Sequence, residues 1–141
     1  MFARMNRRSV IFVFMDDIKN RKDVAHLVRT FYKQVREDTE IGPFFNGMIS
    51  DWEEHFEKLT DFWESNLFLK GKYRGNPRIA HARVDAAFDH SLESRHFGVW
   101  LNIWFATVDS LYTGELAERA KHNARKMSTH LFMAIYRDRT N

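Results

Sequence analysis

Apolar residues recur at intervals of three and four through most of the chain, and nowhere do they alternate for long enough to read as a strand. Val24, Leu27, Val28, Phe31 and Val35 form the first such stripe, with Tyr32 on its flank. Spacing of this kind puts side chains on one face of a helix. Asn20 precedes the stripe and an acid, Asp23, stands three residues on, a weaker form of the capping box. A second stripe carries Trp52, Phe56, Leu59, Phe62, Trp63 and Asn66, with His55 on the same face. Ser50-Asp51-Trp52-Glu53 reads as its capping box, and the helix should end near Leu69. A third stripe runs Phe97, Trp100, Leu101, Trp104, Val108 and Leu111, with Gly114 as its expected C-terminal cap. The fourth runs from about Glu115 to Tyr136 through Leu116, Ala120, Ala124, Met127, Leu131 and Ile135.

Between the second and third stripes lies a hinge. Gly71, Gly75 and Asn76-Pro77 interrupt any continuous helix. Pro77 then suits the first turn of a short helix carrying His81 among Ile79, Ala80, Ala82 and Val84. Residues Asp85 to Glu93 read as irregular. Phe44-Phe45-Asn46-Gly47, after Gly42-Pro43, reads as a tight corner that turns a phenylalanine inward. The expected architecture is all-α: four wide-faced helices packed in two crossed pairs, with the His81 hinge between the second and third.

Composition sharpens this picture. The chain has 141 residues, enough for one domain with a real core, and 15% of them are aromatic, including thirteen Phe and four Trp. So many flat side chains imply a core of large rings, or a core wrapped around something flat. There is no cysteine, which excludes disulfides and thiolate metal sites. The net charge of +3 comes from Arg4, Arg7 and Arg8; subtracting these from 22 leaves 19 basic residues against 19 acidic ones. That balance argues against nucleic acid as a partner. No apolar run is long enough to span a membrane. Residues 1–14 resemble a weak signal peptide, but the apolar run is short and Asp16-Asp17 follow at once. They read as a disordered or loosely packed extension to a domain of residues 15–141, for which Met15 would serve as a start. A cytoplasmic location is expected.

Tyr32, His55 and Trp100 are hydrogen-bonding side chains on or beside faces that should be buried, where polar atoms need partners. Singly, each is as well explained by ordinary core packing. Together they suggest a polar spot inside an aromatic core, facing the place His81 would reach. Glu93-Ser94-Arg95-His96 has the Glu-x-x-His spacing of di-iron bundles, but no second copy exists, and it reads as a solvated helix start. His26, His90, His96 and His122 read as surface residues.

The order Phe31-Tyr32, Ile41-Gly42-Pro43-Phe44-Phe45, Asp51-Trp52-Glu53-Glu54-His55, Asp61-Phe62-Trp63, Tyr73-Arg74-Gly75-Asn76-Pro77, Ala80-His81, His96-Phe97, Trp100-Leu101 and Trp104 resembles the group III truncated haemoglobins of bacteria. The resemblance covers roughly residues 15–136. It departs from the family in residues 1–14 and in lacking a proline between Asp85 and Ser91. It implies a shortened globin fold, two helices over two, around haem b. His81 becomes the proximal iron ligand and Tyr32, His55 and Trp100 the distal residues facing bound gas. Phe45 becomes the ring packed on the haem, with Leu59, Phe62 and Trp63 as further walls. Lys72, Arg74, Arg78 and Arg83 lie near enough in sequence to His81 to meet the propionates, and a backbone carbonyl is the expected partner of the second His81 ring nitrogen.

The expected ligands are dioxygen, nitric oxide or other diatomics. Donors aimed at the ligand imply slow release, which suits chemistry such as nitric oxide dioxygenation or peroxide reduction better than oxygen delivery. Such turnover needs an external reductase, because the chain has no flavin or nicotinamide motif. A gas sensor or carrier without turnover is the alternative, and a haem-free helical interaction module the alternative of another class.

Overall fold

The computed structural model describes residues 15–69 and 75–140. The expected extension, residues 1–14, lies outside them. Among the described residues there are six helices and no strand: α1 (Arg21–Glu37), α2 (Gly42–Met48), α3 (Trp52–Phe68), α4 (Pro77–Ala87), α5 (Ser94–Leu111) and α6 (Glu115–Thr140). The four long stripes become α1, α3, α5 and α6. The pair α1/α3 lies on the pair α5/α6, giving the expected two-over-two sandwich.

Local chemistry sets the helix boundaries. Asn20 caps α1, its side chain accepting from the Asp23 N–H at 3.0 Å. The cap of α3 is Asp51, which accepts from the Glu54 N–H at 3.1 Å; the box therefore starts one residue later than the Ser50 expected. Pro77 opens α4 behind an Asn76 cap, and α4 runs on to Ala87, into the stretch from Asp85 that reads as irregular in the sequence. The corner at Phe44-Phe45 is helical, because Pro43 supplies a first helical turn.

Gly114 has another role than the cap expected of it. Helix α5 ends at Leu111 on the extended Tyr112, and Gly114, at φ +142°, precedes α6. Asp17 occupies the space a side chain there would need: a Cβ on Gly114 would meet the Asp17 Cγ at 2.5 Å. The Asp17 carboxylate accepts from the Leu116 and Ala117 N–H groups at 2.8 and 2.9 Å. A residue about a hundred positions upstream thus caps the longest helix, satisfying donors its own first turn leaves unpaired.

The core is aromatic at its centre. Trp63 stacks on Trp104 at 4.5 Å, and Trp104 lies parallel to Trp100 at 6.1 Å. Phe31 sets its edge against Trp100 and Trp104. The buried Trp104 donates its indole N–H to the Ala120 carbonyl, fixing α5 against α6. Arg21 joins α1 to α3 through Asp61 at 2.7 Å and Glu64 at 3.0 Å.

Candidate functional site

Aromatic side chains wall an internal cavity of about 330 Å³ between the two helix pairs. Polar rings from four helices line it, among them Tyr32 from α1, His55 from α3, His81 from α4 and Trp100 from α5. The sequence pattern had grouped these four. Phe45, Leu59, Phe62 and Trp63 also line it.

Helix α4 holds His81 in a defined state. Its Nδ1 lies 2.7 Å from the Pro77 carbonyl oxygen, one turn back. A carbonyl only accepts, so Nδ1 carries the proton and Nε2 keeps its lone pair. Burial lowers the His81 pKa, opposed by the Pro77 carbonyl, and favours the neutral ring. The backbone partner expected of this histidine is thus Pro77, which also starts the helix. Phe97 stacks beside the imidazole, with centroids 6.2 Å apart.

Asp85 anchors the far end of α4. It is 2% exposed and takes two hydrogen bonds from Arg139 of α6, at 2.9 and 2.6 Å. It also accepts from the Leu92 N–H and bonds the His90 ring. Burial would raise its pKa, but these partners hold it below the usual carboxylate value. Asp85 escaped the sequence reading because a single acid in an irregular-looking stretch carries no pattern.

Tyr32, His55 and Trp100 make no hydrogen bonds with other described residues. Among the described residues His55 Nε2 is buried with no hydrogen-bond partner. Burial first, then the charges of Lys58 and His81, push its pKa down to about 4. Burial raises the pKa of the Tyr32 phenol, so the hydroxyl stays protonated and can donate. The Tyr32 ring contacts His55 at 5.0 Å, Phe45 at 5.7 Å and Trp52 at 5.8 Å. Trp100 is held by the edge of Phe31 at 5.5 Å. Orphan donors converging on one apolar cavity can stabilise a small ligand carrying partial negative charge.

His96, read as a surface residue from sequence, is buried and lines the cavity, its ring 4.8 Å from Phe44. Its Nδ1 accepts from the Glu93 N–H at 2.9 Å, in a capping box that opens α5. The Glu-x-x-His spacing is thus a helix cap, a reading that the position of Glu93 just before the apolar stripe could have given. Of the basic residues expected near the site, Lys72 and Arg74 lie outside the described residues. Arg78 pairs with Asp138 at 3.0 Å and does not line the cavity. Arg83 does line it, as does Lys58, which the sequence reading missed.

The six helices form the truncated globin fold. Within that class the chain is similar to the group III truncated haemoglobins, by sequence and by fold alike. It is 27% identical over 122 residues to the group 3 truncated hemoglobin ctb of Campylobacter jejuni, covering 84% of this chain and 92% of that protein. The crystal structure of the group III truncated hemoglobin from Campylobacter jejuni matches with a TM-score of 0.77 at 28% identity, over 87% of this chain and 96% of that one. No family model matches the chain.

Proposed function

We propose that the cavity binds haem b, with His81 as the iron ligand, and that the protein acts on a diatomic gas at that site. One observation carries the reading: the Pro77 carbonyl fixes the His81 tautomer that leaves Nε2 as a ligand atom on the cavity wall. The surroundings fit the group. A haem needs a flat apolar slot, one neutral imidazole and cations for its carboxylates. Phe45, Leu59, Phe62 and Trp63 supply the slot, and Lys58 and Arg83 stand on its wall, with Lys72, Arg74 and Arg78 nearby in sequence. Bound haem would supply an iron atom with an open coordination position and its redox chemistry.

The protein side chains do the rest. Tyr32 and Trp100 donate hydrogen bonds to the ligand, each contributing on the order of 1–3 kcal/mol to the bound state. His55, neutral above about pH 4, offers one donor and one acceptor at the edge of the same space, and acts as a gate. The aromatic walls exclude water. Slow release of the ligand favours chemistry on it: nitric oxide, dioxygen and one electron give nitrate, and peroxide with two electrons and two protons gives water. Both require an external electron donor.

The test is the visible absorption spectrum of the purified protein, followed by nitric oxide consumption with dioxygen and a reductase present. A histidine-ligated haem spectrum with catalytic nitrate formation is expected. Haem without turnover would favour a sensor or carrier; a colourless protein that cannot be reconstituted with haem would overturn the proposal.

A further inference from the structure

Five basic positions on α1 share one exposed face: Lys22, His26, Arg29, Lys33 and Arg36, at intervals of four, three, four and three. This stripe lies opposite the buried side of the helix and runs about 21 Å at 1.5 Å per residue. Among the described residues only Arg29 has an acidic partner, Glu53. Arg29, Lys33 and Arg36 of the stripe, with Glu37, line a surface groove that Trp52 and Phe56 line from α3. The Arg36 guanidinium lies 4.2 Å over the Trp52 ring and that of Arg29 lies 4.9 Å over Phe56.

The groove adjoins the cavity. Ile49 lines both. Trp52 touches Tyr32 at 5.8 Å and His55 at 5.7 Å. A partner seated in the groove would thus be separated from the cavity by a single layer of side chains.

We infer that the groove of Lys33, Arg36, Trp52 and Phe56 is the docking site for an acidic electron-donating protein. The inference rests on the proposed haem reading, since that chemistry requires an electron donor. A stripe of cations steers and selects an acidic face. The half-buried Trp52 and the exposed Arg36 over it are of the residue types that dominate binding energy in protein interfaces. Two other partners fit less well. A nucleic acid carries charge along its whole length and would meet Glu53 beside Arg29 and Glu37 in the groove, whereas the acids of a protein face are discrete and can sit against Lys33 and Arg36 alone. A membrane surface would call for large apolar side chains on the charged helix, and the stripe has none.

The experiment titrates the full-length, haem-loaded protein with flavodoxin, an acidic flavin protein, and follows binding by nuclear magnetic resonance at low and high salt. Binding should weaken with salt. Lys33→Glu with Arg36→Glu should raise the dissociation constant about tenfold or more. Lys22→Glu with Lys33→Glu, which leaves both cation–π contacts in place, should have the same sign of effect. The control pair Arg119→Glu with Lys126→Glu, on α6, should change it less than about twofold. Absent binding to flavodoxin at low salt, or equal weakening by the control pair, overturns the inference. So does tighter binding to a DNA duplex or to phosphatidylglycerol vesicles that the Lys33 and Arg36 changes abolish. The visible spectrum of the same samples reports haem independently, so failure of the haem reading is seen separately from failure of docking.

Discussion

The distal side chains are held unequally, and that inequality sets what each substitution should do. Tyr32 is buried among Phe31, Phe45, Trp52 and His55. Trp100 is fixed between Phe31 and the Trp104 stack. Tyr32→Phe and Trp100→Phe should each raise the dioxygen off-rate roughly tenfold or more, the equivalent of one good hydrogen bond. His55 sits one turn after the Asp51 cap, and His55→Leu should mainly change ligand entry. Stopped-flow and flash photolysis on the three variants separate these outcomes; a large off-rate change for His55→Leu with none for Trp100→Phe would reverse the assignment. His55 also makes a pH prediction. Its folded pKa of about 4 lies below its ordinary value of 6.5, so the folded protein favours the neutral ring. The resulting stability is present above about pH 6.5 and is lost as pH falls toward 4. His55→Leu should flatten that part of the denaturation profile. Tyr32, His55 and Trp100 were legible in the sequence because each puts a hydrogen-bonding group on or beside an apolar stripe. His96 was not, because its ring packs on Phe44, more than a third of the chain away.

At the scale of elements, the caps and anchors come from remote residues. The helical periods of α1, α3, α5 and α6 were readable because each depends only on local spacing. What closes the ends of α4 and α6 was hidden, since Asp85 finds Arg139 across 54 positions and Asp17 finds Ala117 across 100. Asp85→Asn removes the charge that Arg139 needs in a largely buried setting. It should cost about 3 kcal/mol, measured by urea denaturation, and should loosen α4 and so the His81 ring. The Asp85 pKa is depressed, so its stabilisation is present above the ordinary carboxylate pKa and is lost only as pH falls through its lower folded value. Asp17→Ala should cost about 1–2 kcal/mol through the lost cap. Gly114→Ala should cost a similar amount or more, because its positive φ and its contact with Asp17 both oppose a side chain. If Gly114→Ala melted with the parent, the account of this cap would be wrong.

For the whole molecule, the sandwich places α1, α3, α4 and α5 around one cavity and brings to it four rings dispersed from position 32 to position 100. The sequence suggested that convergence through hydrogen-bonding rings on faces that should be buried, and the family resemblance gave them roles; spacing along any one helix does not contain it. Part of the basic lining of the cavity stayed unread for a similar reason, since proximity to His81 in sequence favoured Arg78, which turns away to Asp138, over Lys58, which arrives from another helix. The central claim is that His81 holds the haem iron. The ferrous visible spectrum of His81→Gly, with and without added imidazole, tests it most directly. The account predicts sharply reduced haem retention and a spectrum partly restored by imidazole. A five-coordinate, histidine-ligated ferrous spectrum retained in His81→Gly without imidazole would contradict it.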